Sequence, residues 1–228
     1  MTPRNESTPI TPDQTLAELA VCEPGASRVF HRYGLDFCCH GRVALQDACE
    51  SAGLDVEVLL GELEAERQSS EPAEELRGRG AKELIAHILA TYHEPLREEL
   101  PRLIHMADKV ERVHGDKPTC PLGLAAHLRR MFVELDLHMQ KEERMLFPML
   151  EAGYGRRAQM PVSVMEAEHK DHAKQLEELR RLTDQYRAPE GACGTWRALF
   201  LGCEALQRDL MDHIHLENNI LFPQSLTA

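Results

Sequence analysis

From residue 81 onward, apolar residues recur at alternating spacings of three and four, the period of helices that pack around a shared seam. The clearest run is Trp196, Leu199, Cys203, Leu206, Leu210, His213, Glu217 and Ile220. Nearly as regular is Leu124, Leu128, Met131, Leu135, His138, Glu142, Met145 and Met149. In both runs a histidine and a glutamate stand where leucine is expected. The periodicity predicts four helices, roughly 81–113, 118–150, 161–187 and 194–223, joined by turns such as 114–117 and 189–194. Short connections make neighbours antiparallel, so residues 81–223 are expected to form an up-down-up-down four-helix bundle. Shorter helical patterns at 16–21, 26–33, 42–52 and 56–66, punctuated by Gly34, Gly41 and Gly53, predict a small helical domain over 13–66. The stretch 67–80 holds a single large apolar residue, Leu76, among serines, glycines and charges, and reads as a linker. The chain is expected to be all-α.

The bundle repeats itself. His138-Met-Gln-Lys-Glu142-Glu-Arg-Met-Leu-Phe-Pro148 aligns with His213-Ile-His-Leu-Glu217-Asn-Asn-Ile-Leu-Phe-Pro223 as H-x-x-x-E-x-x-x-L-F-P. Each copy has a histidine upstream, His93 lying 45 positions before His138 and His169 lying 44 before His213. Two helix pairs related by a pseudo-twofold axis follow. A histidine and a glutamate four apart project from one helix face, so both can reach one metal or two adjacent metals. The heights agree as well: His93 lies 20 residues before the expected turn at 113 and His138 lies 20 after 118, while His169 lies 18 before 187 and His213 lies 19 after 194. His93, His138, Glu142, His169, His213 and Glu217 are therefore expected in one layer of the core. Six such groups buried without a metal would incur several kcal/mol of desolvation. Four imidazoles and two carboxylates suit iron, manganese or zinc, and spacing does not choose among them. The two glutamates are placed to bridge a metal pair, with two histidines on each metal.

Charge and composition narrow the partners. Lys and Arg total 26 against 38 Asp and Glu, a net charge of -12, which disfavours nucleic acid or an anionic membrane surface. The polar, threonine-rich start has no apolar segment of signal-peptide type, so a cytoplasmic location is expected. Seven cysteines, scattered except for Cys38 and Cys39, do not form a secreted disulfide framework, and reduced thiols are expected. Adjacent cysteines close only a strained disulfide, so this pair suits thiolate chemistry or metal capture, with burial as simple packing the alternative. Arg42 and His40 nearby are expected to lower a thiol pKa. Cys22, Cys49, Cys120, Cys193 and Cys203 read as packing residues, and Met131, Met145 and Met149 as core. His31, His87, His105, His114, His127 and His215 lack an acidic partner on a seam and read mostly as solvated or as neighbours of the ligands. Glu94, Glu143 and Glu168 adjoin ligands in sequence, face away from them, and are candidates to line an access route for iron. Pro148 and Pro223 are expected to end or kink their helices.

At these residues the bundle resembles the hemerythrin-like domains. It departs from hemerythrins proper at Ala173, where a second histidine of the third helix is wanting; His172 stands nearby, either as a substitute or as a residue beside the ligands. With fewer histidines, stable oxygen carriage is not implied. Asp36-Phe37-Cys38-Cys39-His40-Gly41, followed by a helix and Leu54-Asp55-Val56-Glu57, is similar to the small cysteine-pair domain of the Repair of Iron Centres family. The phrases Ser163-Val164-Met165-Glu166-Ala167-Glu168-His169 and Met211-Asp212-His213-Ile214-His215-Leu216-Glu217-Asn218-Asn219 are similar to that family's too. The resemblance covers nearly the whole chain after residue 13. It implies a di-iron protein, with two irons bridged by Glu142 and Glu217, that helps restore iron-sulfur clusters damaged by nitric oxide or oxidants by donating iron. Damaged iron-sulfur proteins would be its clients, and Cys38 and Cys39 would serve as iron-transfer or redox thiols. Reduction of nitric oxide or oxygen at the di-iron site, and sensing, use the same six ligands and stay open, as does a homodimeric state. His40 stands where the family usually has glycine, adding a ligand or acid beside the thiols.

Overall fold

The structure is a computed structural model that describes residues 9–23, 25–69 and 79–227. It divides into two compact units, the second beginning at Arg79. Among the described residues the secondary structure is helical, with a single isolated bridge between Thr15 and Ala44. No described helix is long and apolar enough to cross a membrane.

In the first unit α1 spans Leu16–Cys22, α2 Ala26–Tyr33, α3 Leu45–Ala52 and α4 Val56–Ser69. Thr15 opens α1 with a capping box completed by Glu18, satisfying amides that the helix itself cannot. Leu16, Leu19, Val29, Phe30, Phe37, Leu45, Leu59 and Leu63 form the core. The third helix starts at Leu45 rather than 42 because the preceding backbone is occupied elsewhere: Gly41 and Val43 accept hydrogen bonds from the amides of Ala17 and Leu16, at 2.7 and 3.0 Å. That close approach excludes a side chain at Gly41, where a Cβ would stand 2.8 Å from that of Ala17. The fourth helix runs through Ser69, into the segment expected as linker; residues 70–78 lie outside the described residues.

In the second unit the first bundle helix comprises α5 (Ala81–Ile88), a π-helical turn at Leu89–His93 and α6 (Glu94–His114). The second comprises α7 (Leu124–Lys141), a π turn at Glu142–Leu146 and α8 (Phe147–Glu151). A 3-10 turn at Gly155–Ala158 leads into the third, α9 (Gln159–Leu182). The fourth comprises α10 (Gly194–Leu216), a π turn at Glu217–Leu221 and α11 (Phe222–Thr227). Contacts of α6 with α7 and α10, and of α9 with α7 and α10, close the bundle. Leu100, Leu103, Leu128, Met131, Leu179, Trp196 and Leu199 fill its interior. At Gly202 the first and fourth helices meet so closely that a Cβ would lie 2.5 Å from Leu103 Cδ2.

Two bundle boundaries differ from expectation by five residues or more. The second helix begins at Leu124, not 118, because Pro118 and Pro121 precede Gly123, whose φ of 92° is not helical. The third ends at Leu182, not 187: Thr183 turns its hydroxyl back onto the Leu179 carbonyl at 2.8 Å, and Asp184, Gln185 and Tyr186 follow in left-handed conformation. Equal counting from the turns is thereby lost, since His138 lies 14 residues beyond Leu124 while His93 lies 21 before His114. The layer owes its height to the longer connections.

The π turns move the seam. In H-x-x-x-E-x-x-x-L every step is four residues, which overshoots a helical turn by about 40° each time. A π turn is wider and takes the excess back. Leu146, Leu150 and Leu221 are buried in consequence, while Met145, expected in the core, is 62% exposed and Met149 and Ile220 are only half-buried. The prolines follow the same logic. Pro95, Pro148 and Pro223 each come two residues after a π turn, so the carbonyl four residues back, with which a proline ring clashes in an α-helix, lies inside the wider turn. Pro148 and Pro223 therefore do not end their helices, which continue to Glu151 and Thr227.

Candidate metal centre

All six expected residues meet in the bundle interior, each 2% exposed or less. Their ligating atoms form two groups, His93, Glu142, His213 and Glu217 in one, and His138, Glu142, His169 and Glu217 in the other. Both carboxylates belong to both groups. Glu142 reaches His93 with one oxygen at 3.5 Å and His138 with the other at 3.3 Å; Glu217 reaches His213 at 3.1 Å and His169 at 3.2 Å in the same divided way. The Nε2 atoms of His93 and His213 stand 3.1 Å apart, and those of His138 and His169 3.0 Å. Two imidazoles bound at right angles to one cation, at the bond length of about 2.1 Å common for such ligands, would place their nitrogens about 3.0 Å apart. Neither oxygen of Glu142 has a hydrogen-bond partner among the described residues, an expensive arrangement unless a cation takes that role. The residues present fit a pair of divalent metal ions.

Titration follows from this crowding. Burial works to lower the His138 imidazole, but the Glu142 carboxylate, with Glu217 and Glu168, prevails and lifts it to about 9. Burial works to raise Glu217, but His213 and His169 hold it well below the usual carboxylate range. Burial and the neighbouring His213 lower His93. The layer attracts positive charge, supplied by protons or by metal.

Outside the layer, three imidazoles are held by oxygens from neighbouring helices. His93 Nδ1 pairs with Glu143 at 2.8 Å, His138 Nδ1 with Glu168 at 2.8 Å and His169 Nδ1 with Asn218 at 2.8 Å. Arg97 donates to the same Glu143 oxygen at 2.8 Å and also to Asp136 at 3.0 Å, and Lys141 donates to Glu168. A proton kept on Nδ1 leaves the Nε2 lone pair aimed inward, the form a metal requires. Glu143 and Glu168 do face away from the ligand beside them in sequence, as expected, but they serve the ligand on the next helix; Glu94 is exposed. Asn218 went unrecognised, although the repeat contained its signal: Glu143 and Asn218 both directly follow the shared glutamates. The fourth imidazole breaks the symmetry. Its Nδ1 in His213 has no hydrogen-bond partner among the described residues, because the position matching Glu168 is Tyr92, whose ring stacks on His213 at 5.2 Å and 9°.

His172 packs edge-on against His138 with ring centres 4.9 Å apart, belongs to neither group, and is pushed down to about 3 by burial and by His138 and His169. His127 and His215, read as solvated or beside the ligands, are buried: His127 Nε2 donates to the Gln175 carbonyl at 2.9 Å, and His215 meets Asn219 at 2.9 Å. Cys49, Cys120 and Cys203 are buried as expected, whereas Cys22 is exposed and Cys193 partly so. In the first unit Cys38 is buried and Cys39 partly exposed, on the turn between α2 and α3. The Cys38 thiol is not activated as expected; the adjoining Cys39, burial and the Asp36 carboxylate raise its pKa well above the ordinary value.

Residues 84–225 match the family described as the hemerythrin HHE cation binding domain, and residues 12–67 match a domain of unknown function, DUF542. The chain is 47% identical over 214 residues to the iron-sulfur cluster repair protein YtfE of Yersinia pseudotuberculosis serotype O:1b (strain IP 31758), covering 94% of this chain and 97% of that protein. The same identity and coverage relate it to the protein of that name from Yersinia pestis (strain Pestoides F).

Proposed function

The chain belongs to the hemerythrin HHE family and to the iron-sulfur cluster repair proteins within it, and from that membership we propose that it repairs damaged iron-sulfur clusters by donating iron from a di-iron centre. Two irons would be held, one by His93 and His213 and the other by His138 and His169, with Glu142 and Glu217 bridging them. The observation that carries this reading is the sharing of both buried carboxylates between two imidazole pairs. Iron is here the cargo. Bridging anions favour the higher charge, so ferrous iron would be held less tightly than ferric, and one electron per ferric iron from an external reductant would promote release.

The chain's own residues set the conditions of that release. Glu143 and Glu168, whose side chains are 28% and 26% exposed, lie between His93 and His138 and solvent. Protonating or displacing them loosens an imidazole without unfolding a helix. The clients would be proteins with clusters damaged by nitrosative or oxidative stress, in the cytoplasm. The small domain 13–66, with Cys38 and Cys39, would serve transfer, and the bundle 81–223 storage.

Anaerobic reactivation of a nitric-oxide-damaged [4Fe-4S] enzyme by the iron-loaded protein tests this, with a chelator present to intercept free iron. Activity is expected to return as the protein loses iron, and Glu217→Ala is expected to support no recovery. An enzyme that stays inactive while the protein keeps its iron and consumes nitric oxide would replace donation with catalysis.

A further inference from the structure

The turn after α2 gathers a second set of metal-binding groups. Gly34 ends that helix in left-handed conformation, and Phe37 is fully buried, its ring 5.7 Å from that of Phe30. This anchor directs Asp36, Cys38 and Cys39 to one point, with their ligating atoms all within 4.8 Å of one another. Asp36 Oδ1 accepts from the Cys39 amide at 2.9 Å and from the Cys38 thiol at 3.2 Å. The two sulfurs lie 3.8 Å apart. Two thiolates bound at about 2.3 Å to a tetrahedral cation would also stand about 3.8 Å apart, and a carboxylate oxygen on the same cation about 3.5 Å from each. The backbone thus already holds near-coordination spacing, and no adjacent-cysteine disulfide is needed to explain it. His40 Nδ1 contacts the other Asp36 oxygen at 2.6 Å, which fixes the carboxylate with Oδ1 toward the sulfurs.

We propose that Asp36, Cys38 and Cys39 form a separate site for one thiophilic divalent cation, with its fourth coordination position open to an incoming ligand. Neither the bundle centre nor its repair role is needed for this inference. Binding exchanges two thiol protons for two metal-sulfur bonds, so roughly two protons leave per cation bound and affinity rises as pH rises. No oxidant or reductant takes part. The raised Cys38 pKa agrees: the burial and nearby carboxylate that disfavour an isolated thiolate are what a bound cation would offset. Cys39 and Asp36 are partly exposed, which leaves an approach for the ion.

Cobalt(II) added anaerobically to the full-length, iron-loaded protein is the probe. The bundle centre has no sulfur ligand, so sulfur-to-cobalt charge-transfer absorption arises outside it, and the double variant separates Cys38 and Cys39 from the partly or fully exposed Cys193 and Cys22. The absorption is expected to saturate at about one cobalt per chain, to vanish in the Cys38→Ser, Cys39→Ser double variant, and to require at least about tenfold more cobalt in Asp36→Asn. Asparagine keeps the oxygen that accepts from the Cys39 amide, so the turn survives while the charge is lost. Absence of the absorption in the parent protein, its persistence in the double variant, or unchanged affinity in Asp36→Asn with helical circular dichroism intact would each overturn the site.

Discussion

Three buried imidazoles direct the outer ring nitrogen, Nδ1, in a hydrogen bond to an oxygen on another helix, and the fourth, His213, faces the ring of Tyr92 instead. The two imidazole pairs are therefore unequal. In the His138–His169 pair both rings are made more basic by a hydrogen-bonded oxygen, whereas in the His93–His213 pair only His93 is. Removing such a support typically costs 10–100-fold in metal affinity. Glu168→Gln is accordingly expected to weaken iron retention by about that factor, measured by competition with a calibrated chelator. Tyr92→Glu would restore the pseudo-symmetric partner and is expected to slow the faster phase of iron loss by about tenfold; a rate equal to that of the parent protein would show that the ring stack, not the missing acceptor, governs His213. These partners were only half legible in the sequence. Glu143 and Glu168 stood out beside the ligands, yet which imidazole each serves depends on how neighbouring helices are rotated.

At the scale of the element, the two L-F-P phrases and His93-Glu-Pro95 share one design: a ligand at the edge of a π turn and a proline just beyond it. An interior proline costs about 3 kcal/mol relative to alanine when the helix stays α-helical, and a wider turn relieves the clash. The turn in return keeps Leu146 and Leu221 on the core face four residues after Glu142 and Glu217, and so holds the backbone that carries the glutamates against the core. Pro148→Ala removes the pressure for that turn. It is expected to raise the metal-free melting temperature by a few degrees, of the order of 1 kcal/mol, while lowering iron content per chain. Paired calorimetry and iron analysis check this, and a gain in both together would mean that the proline does not hold the glutamate in place.

At the scale of the molecule, two compact units predict two thermal transitions. Ligand at about a thousand times its dissociation constant adds about 4 kcal/mol to the state that binds it, roughly 10 °C for a domain of the bundle's size. Iron removal is expected to lower the larger transition by about that amount and leave the smaller one in place; calorimetry before and after chelation reads both. The helical class, the four helical periods, the repeat and the six residues that meet as a buried His/Glu cluster were all legible in the chain, because a polar side chain on an apolar seam is visible in one dimension as a break in a period. Only the packing of the helices shows which imidazoles share a carboxylate, that Glu143, Glu168 and Asn218 hydrogen-bond imidazoles on other helices, and that the seam passes through Leu146 and Leu221 rather than Met145 and Ile220. The physical reason is that pairing across helices depends on their relative rotation, and a single π turn changes that rotation without leaving a periodic mark in the chain.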